Sequence, residues 1–313
     1  MKMGFYNIKK LFCNSPMVEI EYAFNGKTRK CYAKCEWYSL TGSVKDRVAW
    51  QILKDAYKSG KLKTGDKIVE VSSGNMGISL CAVANLTGNP TTIIMPKNMS
   101  EERKQLLSLY GATLVEVDDF NEAFRVCEIY ERDGYYCPRQ FENESNLKVH
   151  SSVTAKEILR GVKCKNVSTF ISGVGTSGTL AGVGEALKKQ GFKIIALQPE
   201  NAQILNGGKA GKHVIQGISD EIVPKLYDEK IVDDFVSVND IDVFAMAQKL
   251  CKCLSLPVGL SSSANFLGCV LCAENAVTIF PDDNKKYLSC DIGKGKFESS
   301  LVDEIVLKSV KVV

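Results

Sequence analysis

Histidine is nearly missing from this sequence: His150 and His213 are the only two in 313 residues, against twelve cysteines dispersed along the chain. The only C-x-x-C, Cys269-Val-Leu-Cys272, has no second pair at zinc-like spacing. So few imidazoles and no paired motif argue against a metal centre, and none is expected. No apolar run approaches membrane-spanning length, and the opening MKMGFYNIKKLFCNSPMVEI lacks the continuous apolar core of a signal peptide. A cytoplasmic protein with reduced thiols is expected. Neither sign of charge prevails: 40 Lys and Arg against 36 Asp and Glu leave +4. The bases are interleaved with acids, which marks neither a nucleic-acid nor a membrane surface. No Gly-x₄-Gly-Lys-Ser/Thr occurs (Gly26-Lys27-Thr28 has Glu21 in place of the first glycine), so a nucleoside-triphosphate P-loop is excluded. Internal repeats and low-complexity tracts are also lacking.

What is present is an α/β pattern. The runs KIVEV (67–71), TTIIMP (91–96), TLVEV (113–117), TFISG (169–173) and KIIALQP (193–199) read as buried strands. Helical patterns lie between and after them. SEERKQLLSLYG has Ser100 as N-cap, acids in its first turn and Gly111 as stop; NDIDVFAMAQKLCKCLS sets Val243, Ala247, Leu250 and Leu254 on one face. The alternation predicts parallel sheet flanked by helices, with sites at the carboxyl ends of strands. The length predicts about two domains.

Two glycine-rich turns and one lysine carry the chemistry. FISGVGTSGTLAGVGEAL (170–187) runs strand, turn, helix, so backbone N–H groups and the Thr176, Ser177 and Thr179 hydroxyls can cradle a phosphate. Gly173, Gly175 and Gly178 also satisfy a dinucleotide fingerprint, with Glu200 after the next strand, so this turn alone leaves the phosphate's owner open. KIVEVSSGNMGISLCAVAN (67–85) repeats the pattern, and its Ser72, Ser73, Gly74 and Asn75 suit a carboxylate, or simple helix capping. Lys45 sits where the Thr41-Gly42-Ser43 turn meets a helical pattern that places Ala49, Ile52, Leu53 and Ala56 on one face. A dehydrogenase reading accounts for neither Lys45 nor the second turn. Two anion cradles and an isolated lysine suit a small amino acid and a phosphorylated cofactor that forms a Schiff base.

The chain resembles the cysteine synthase family of pyridoxal-phosphate enzymes. The resemblance runs in order through NSPMVEI (14–20), TGSVKDR, SSGNMGI, QFENESN, GVGTSGT, LNGGKAGKH, VGLSSSAN and PDDNKKYLSCDI. It implies the two-domain fold of tryptophan synthase β-like (type II) enzymes. Residues 41–148 would form a smaller mobile domain that closes over the substrate carboxylate, and residues 1–40 and 149–313 the large cofactor-binding domain. It implies a homodimer. It also implies that Lys45 is the Schiff-base lysine and proton shuttle, and that Asn75 bonds the cofactor's 3-oxygen. Ser72, Ser73 and Gln140 would hold the substrate carboxylate, Gly175, Thr176, Ser177, Gly178 and Thr179 the phosphate, and Ser261 would face the pyridine nitrogen.

Three departures from the family pattern bear on the reaction. Met76 stands where a threonine is usual, and its thioether offers apolar contact beside a thiol leaving group. Ser263 replaces a glycine, for which the sequence offers no reading. Ser219, Asp220 and Glu221 replace Gly-Ala-Gly in a loop that faces the substrate in the family. The expected reaction is β-elimination of sulfide from L-cysteine through an α-aminoacrylate, then addition of water to give L-serine and hydrogen sulfide. Asp220 would activate the water, with Glu221 as a second candidate acid. The alternatives are cysteine synthesis from O-acetylserine and cysteine-dependent thiol replacement giving lanthionine or cystathionine.

Overall fold

Two antiparallel strands open the fold, in a computed structural model that describes residues 8–219, 222–293 and 295–313. β1 (Met17–Phe24) and β2 (Lys27–Cys35) turn through Asn25 and Gly26. Both turn residues have positive φ, 50° and 71°, the conformation a two-residue hairpin demands. Next come α1 (Lys45–Lys58), β3 (Ile68–Val71), α2 (Asn75–Asn85), β4 (Thr91–Pro96), α3 (Glu101–Leu109), β5 (Thr113–Val117) and α4 (Phe120–Arg132). Their three strands form a parallel sheet in the order β3-β4-β5. α5 (Glu144–Val149) continues through a π turn (His150–Thr154) into α6 (Ala155–Gly161).

The remaining elements are β6 (Thr169–Gly173), α7 (Gly178–Lys188), β7 (Lys193–Pro199), β8 (Asp234–Val238), α8 (Asp240–Leu254), α9 (Leu260–Cys272), β9 (Asn275–Phe280), α10 (Ser300–Asp303) and β10 (Val306–Val312). They complete a seven-stranded sheet of order β10-β1-β2-β9-β6-β7-β8. From β2 to β8 its pairings are parallel; at the other edge β10, β1 and β2 are antiparallel. The parallel sheet expected from the alternation is present, and the larger sheet adds an antiparallel edge.

Ser100 also departs from expectation. It occupies the N-cap position of α3, but its hydroxyl makes no cap and instead donates to the Lys286 carbonyl at 2.7 Å. A long-range bond has displaced the local one. Among the described residues no helix is long and apolar enough to cross a membrane.

The buried face of α1 explains how Lys45 is held. Val48, Ala49, Ile52 and Leu53 are at most 1% exposed. Arg47, also buried, joins an ion cluster with Lys34, Glu36 and Glu157. Arg47 bonds both Glu36 oxygens at 2.8 and 3.0 Å and the Thr154 hydroxyl at 3.0 Å, while Lys34 meets Glu157 at 2.8 Å. The cluster balances two cations against two carboxylates, and removing one cation leaves a buried carboxylate uncompensated. Arg47→Met is expected to cost about 3–5 kcal/mol, read as a lower urea midpoint. A loss below ~1 kcal/mol would show that the cluster is solvated in the native state.

Candidate active site

Lys45 is the first residue of α1, half-buried, and borders a pocket at the carboxyl ends of β3 and β6. The β3–α2 turn brings Ser72, Ser73, Asn75 and Met76 to this pocket; the β6–α7 turn brings Gly175, Thr176, Ser177 and Thr179. Gln140 and Ser261 line it as well. Lys45 and Ser261, 216 residues apart in sequence, thus share one cavity.

The first turn is built around helix amides. The Ser72 hydroxyl oxygen accepts from Gly74 N at 3.1 Å and Gly77 N at 2.9 Å, which secures the start of α2 and leaves the hydroxyl proton to donate. Gly74 is required here: its φ is +140°, and a Cβ would lie 2.4 Å from Arg103 Cδ. Arg103 in turn donates to the Ser73 carbonyl at 2.9 Å, to Gln216 Oε1 at 2.8 Å and to the Tyr287 hydroxyl at 2.7 Å. One buried guanidinium therefore holds two pocket loops. Asn75 donates to Asp282 at 2.7 Å and accepts from the Lys286 ammonium at 3.0 Å. Burial pushes the Lys286 amine down, while Asp282 and Asp46 favour its charge.

Gln140 is fixed from the β3 side. Its side-chain amide donates to the Val71 carbonyl at 2.7 Å, and its backbone N–H donates to Glu70 at 3.1 Å. Glu70 is 2% exposed, and burial raises its carboxyl to about 8 despite two backbone N–H donors that pull the other way. The fold therefore keeps a proton that the unfolded chain, with an ordinary value of 4.5, has released. The stabilisation is whole below that value and is lost as the pH rises through about 8. Denaturation midpoints should fall across this window, and Glu70→Gln should flatten the slope; an unflattened slope would assign it to other groups.

The second turn meets the fit required of a phosphate cradle. Ser177 is the N-cap of α7 at φ +66°, and its hydroxyl is buried with no hydrogen-bond partner among the described residues. Gly175 lies against the Gly217 carbonyl so closely that a Cβ would sit 2.3 Å from its oxygen. Thr176 accepts from Asn146 at 2.9 Å, and Thr179 pairs with His150 Nε2 at 3.3 Å. Burial first, then Arg47 and Lys45, hold His150 well below the ordinary histidine range, so the ring is neutral. Gly178 packs on Asn146 instead of lining the pocket. No Asp or Glu lines the cavity among the described residues. Helix amides, an orphan hydroxyl and the absence of carboxylates there suit a phosphate dianion.

Ser263 is removed from the site: its hydroxyl donates to the Val243 carbonyl at 2.7 Å and ties α9 to α8. Asp220 and Glu221 lie outside the described residues. Gly217 and Ile218, just before them, line the pocket, and Ser219 N donates to the Val174 carbonyl at 2.8 Å. Sequence reasoning missed Arg103, Asn146, Gln216 and Tyr287. No local pattern marks them, because each acts through a partner distant in sequence.

The chain matches the model of the pyridoxal-phosphate dependent enzyme family over residues 8–282. It is 35% identical over 296 residues to a cysteine synthase of Staphylococcus aureus, covering 90% of this chain and 95% of that one. A crystal structure of a hydrogen sulfide-producing enzyme from Fusobacterium nucleatum is 38% identical, covers 99% of this chain and 98% of its own, and superposes with a TM-score of 0.93. An aspartate-to-asparagine variant of that enzyme, in complex with an α-aminoacrylate intermediate, superposes at 0.95, also at 38% identity, over 100% of this chain and 99% of that one.

Proposed function

The chain belongs to the pyridoxal-phosphate-dependent enzymes, and on that premise we propose that it converts L-cysteine and water into L-serine and hydrogen sulfide. The observation that carries this reading is one lysine facing two anion cradles in a single pocket. Cysteine as the substrate draws support from the buried Met76 thioether in that pocket. The likeness to a sulfide-producing enzyme across nearly the full length adds to it.

When bound, pyridoxal phosphate supplies the electron sink for negative charge at the substrate Cα. The residues of this chain do the rest. Lys45 tethers the cofactor and then takes the Cα proton. Ser72, Ser73 and Gln140, with the amides of the α2 N-terminus, hold the substrate carboxylate. Gly175, Thr176, Ser177 and Thr179 would hold the phosphate, Asn75 would bond the ring's 3-oxygen, and Ser261 would face the ring nitrogen. Asp220, ahead of Glu221, takes the proton of the incoming water as the hydroxyl adds to Cβ. An intermediate trapped in a relative that lacks one aspartate carboxylate supports an acid in this second half.

Residues 41–148 form the unit we assign to closure over the carboxylate, with 1–40 and 149–313 as the cofactor-holding body. The three-stranded sheet falls wholly within the first unit and the seven-stranded sheet wholly within the second. A homodimer in the cytoplasm completes the reading.

Incubation of the holoenzyme with L-cysteine alone in oxygen-18 water tests it. Labelled serine, with one sulfide released per serine formed, is the expected result. Lanthionine would indicate a second cysteine as acceptor, and pyruvate simple release; either as the main product overturns the hydration reading. Faster turnover of O-acetylserine with sulfide than of cysteine would favour cysteine synthesis.

A further inference from the structure

Away from this pocket, Cys127 and Glu131 occupy the same face of α4 one turn apart, and Cys137 faces them from the segment that follows. The two sulfurs are 3.5 Å apart, and one ligand atom from each of the three side chains lies within 4.8 Å of the others. We propose that Cys127, Cys137 and Glu131 form a binding site for a thiophilic divalent cation, with zinc as the reference ion.

The chemistry of the donor set favours such an ion. Two thiolates at ~2.3 Å from a tetrahedral centre stand ~3.8 Å apart, close to the separation already present. Carboxylate oxygen completes three protein ligands and leaves one position for a small exogenous donor. Arg139 supplies the outer partner: its Nε and one terminal nitrogen bond the two Glu131 oxygens at 3.0 and 2.7 Å. Each carboxylate oxygen keeps a lone pair for the metal, and ligating carboxylates are commonly anchored in this way. Arg139 also donates to Glu142 at 2.7 Å, and Lys225 pairs with Glu142, so two thiolates and two carboxylates (−4) stand against a divalent cation, Arg139 and Lys225 (+4). Arg139 holds a left-handed backbone at φ +53°, an unusual state for a long side chain. It lies in the segment that joins Cys137 to Gln140.

The site has an approach. Cys127, Glu131, Cys137 and Arg139 line a cavity of about 340 Å³ that also reaches Phe141, which borders the active-site pocket. Binding exchanges the two thiol protons for the ion. No sequence motif announces the site, because Cys-x₃-Glu becomes a ligand pair only on a helix, and Cys137 joins it only through the fold.

Zinc titration by calorimetry on the reduced, pyridoxal-phosphate-loaded protein tests the proposal, with cadmium as an optical probe through its thiolate charge-transfer absorption. One equivalent is expected to bind with the absorbance of two thiolates. Cys127→Ala and Cys137→Ala should each abolish that equivalent, whatever the exposed Cys164, Cys251 and Cys253 bind. Arg139→Asn, which tolerates the positive φ, should weaken it about 10–100-fold. Retention of the equivalent in the Cys127→Ala/Cys137→Ala double variant, with native circular dichroism, overturns the proposal. So does a parental protein that binds no zinc under reducing conditions and only forms a Cys127–Cys137 disulfide on treatment with a small oxidised disulfide.

Discussion

Lys45→Ala is expected to end sulfide release from L-cysteine and to remove the visible absorption of a lysine-linked cofactor. The cofactor itself should remain partly bound, because the cradle at 175–179 is built from other elements: the α7 N-terminus, Ser177 and the close packing of Gly175 on Gly217. Loss of the proton-transfer group alone accounts for about 10²–10⁴-fold in rate, and loss of the tether adds to it. The position of the lysine makes the assignment specific. Lys45 heads a helix whose next residue but one, Arg47, is locked in a buried ion cluster, so the root of the side chain has little freedom. A long, flexible amine attached to a fixed root can reach both the cofactor carbonyl and a substrate proton. Single-turnover absorbance and sulfide assays on the variant decide the matter. Sulfide production at the parental rate, with the visible band intact, sinks the tether and the proton shuttle together.

Much of this arrangement is written locally. The strands at 91–96, 113–117, 169–173 and 193–199 coincide with their β-branched runs, and the strand read at 67–71 loses only its first residue. Both glycine turns are legible because a turn between strand and helix is a contiguous pattern. The Asn25-Gly26 hairpin was equally local, but an α/β reading that looked for parallel strands passed over it. Arg103 was not legible. Its helix segment reads as an ordinary polar face, yet the side chain is fully buried because Ser73, Gln216 and Tyr287 converge on it. Ser263 was not legible either: the sequence offers no reading of this departure, and the fold spends the hydroxyl on a bond between two helices. Sequence patterns report short-range periodicity; buried polar networks depend on long-range closure, and neither Arg103 nor Ser263 carries a local mark of it.

Asp220→Asn is expected to separate the two halves of the reaction. The variant should still release one equivalent of sulfide from L-cysteine, since Lys45 and the carboxylate cradle are untouched. Serine formation should then slow by about 10²–10⁴-fold, the usual contribution of a positioned general base. A long-lived absorbing species should build up between the two phases. The described residues that precede it border the site: Gly217 and Ile218 line the pocket, and Ser219 N donates to the Val174 carbonyl. Charge gives a second reason. Two like charges ~5 Å apart at an effective dielectric near 20 repel by roughly 3 kcal/mol. An ionised carboxylate therefore disfavours bisulfide or a thiolate as the second nucleophile and leaves neutral water less affected. The same repulsion acts on the substrate carboxylate, which is why a cradle of helix amides, Ser72, Ser73 and Gln140 has to compensate. Asparagine keeps the size and removes the charge, so the variant should also accept added thiols more readily and form thioether amino acids in their presence. Stopped-flow absorbance with product analysis, with and without an added thiol, reads both effects. Serine formed at the parental rate, with no gain in thiol products, would leave water activation to another group.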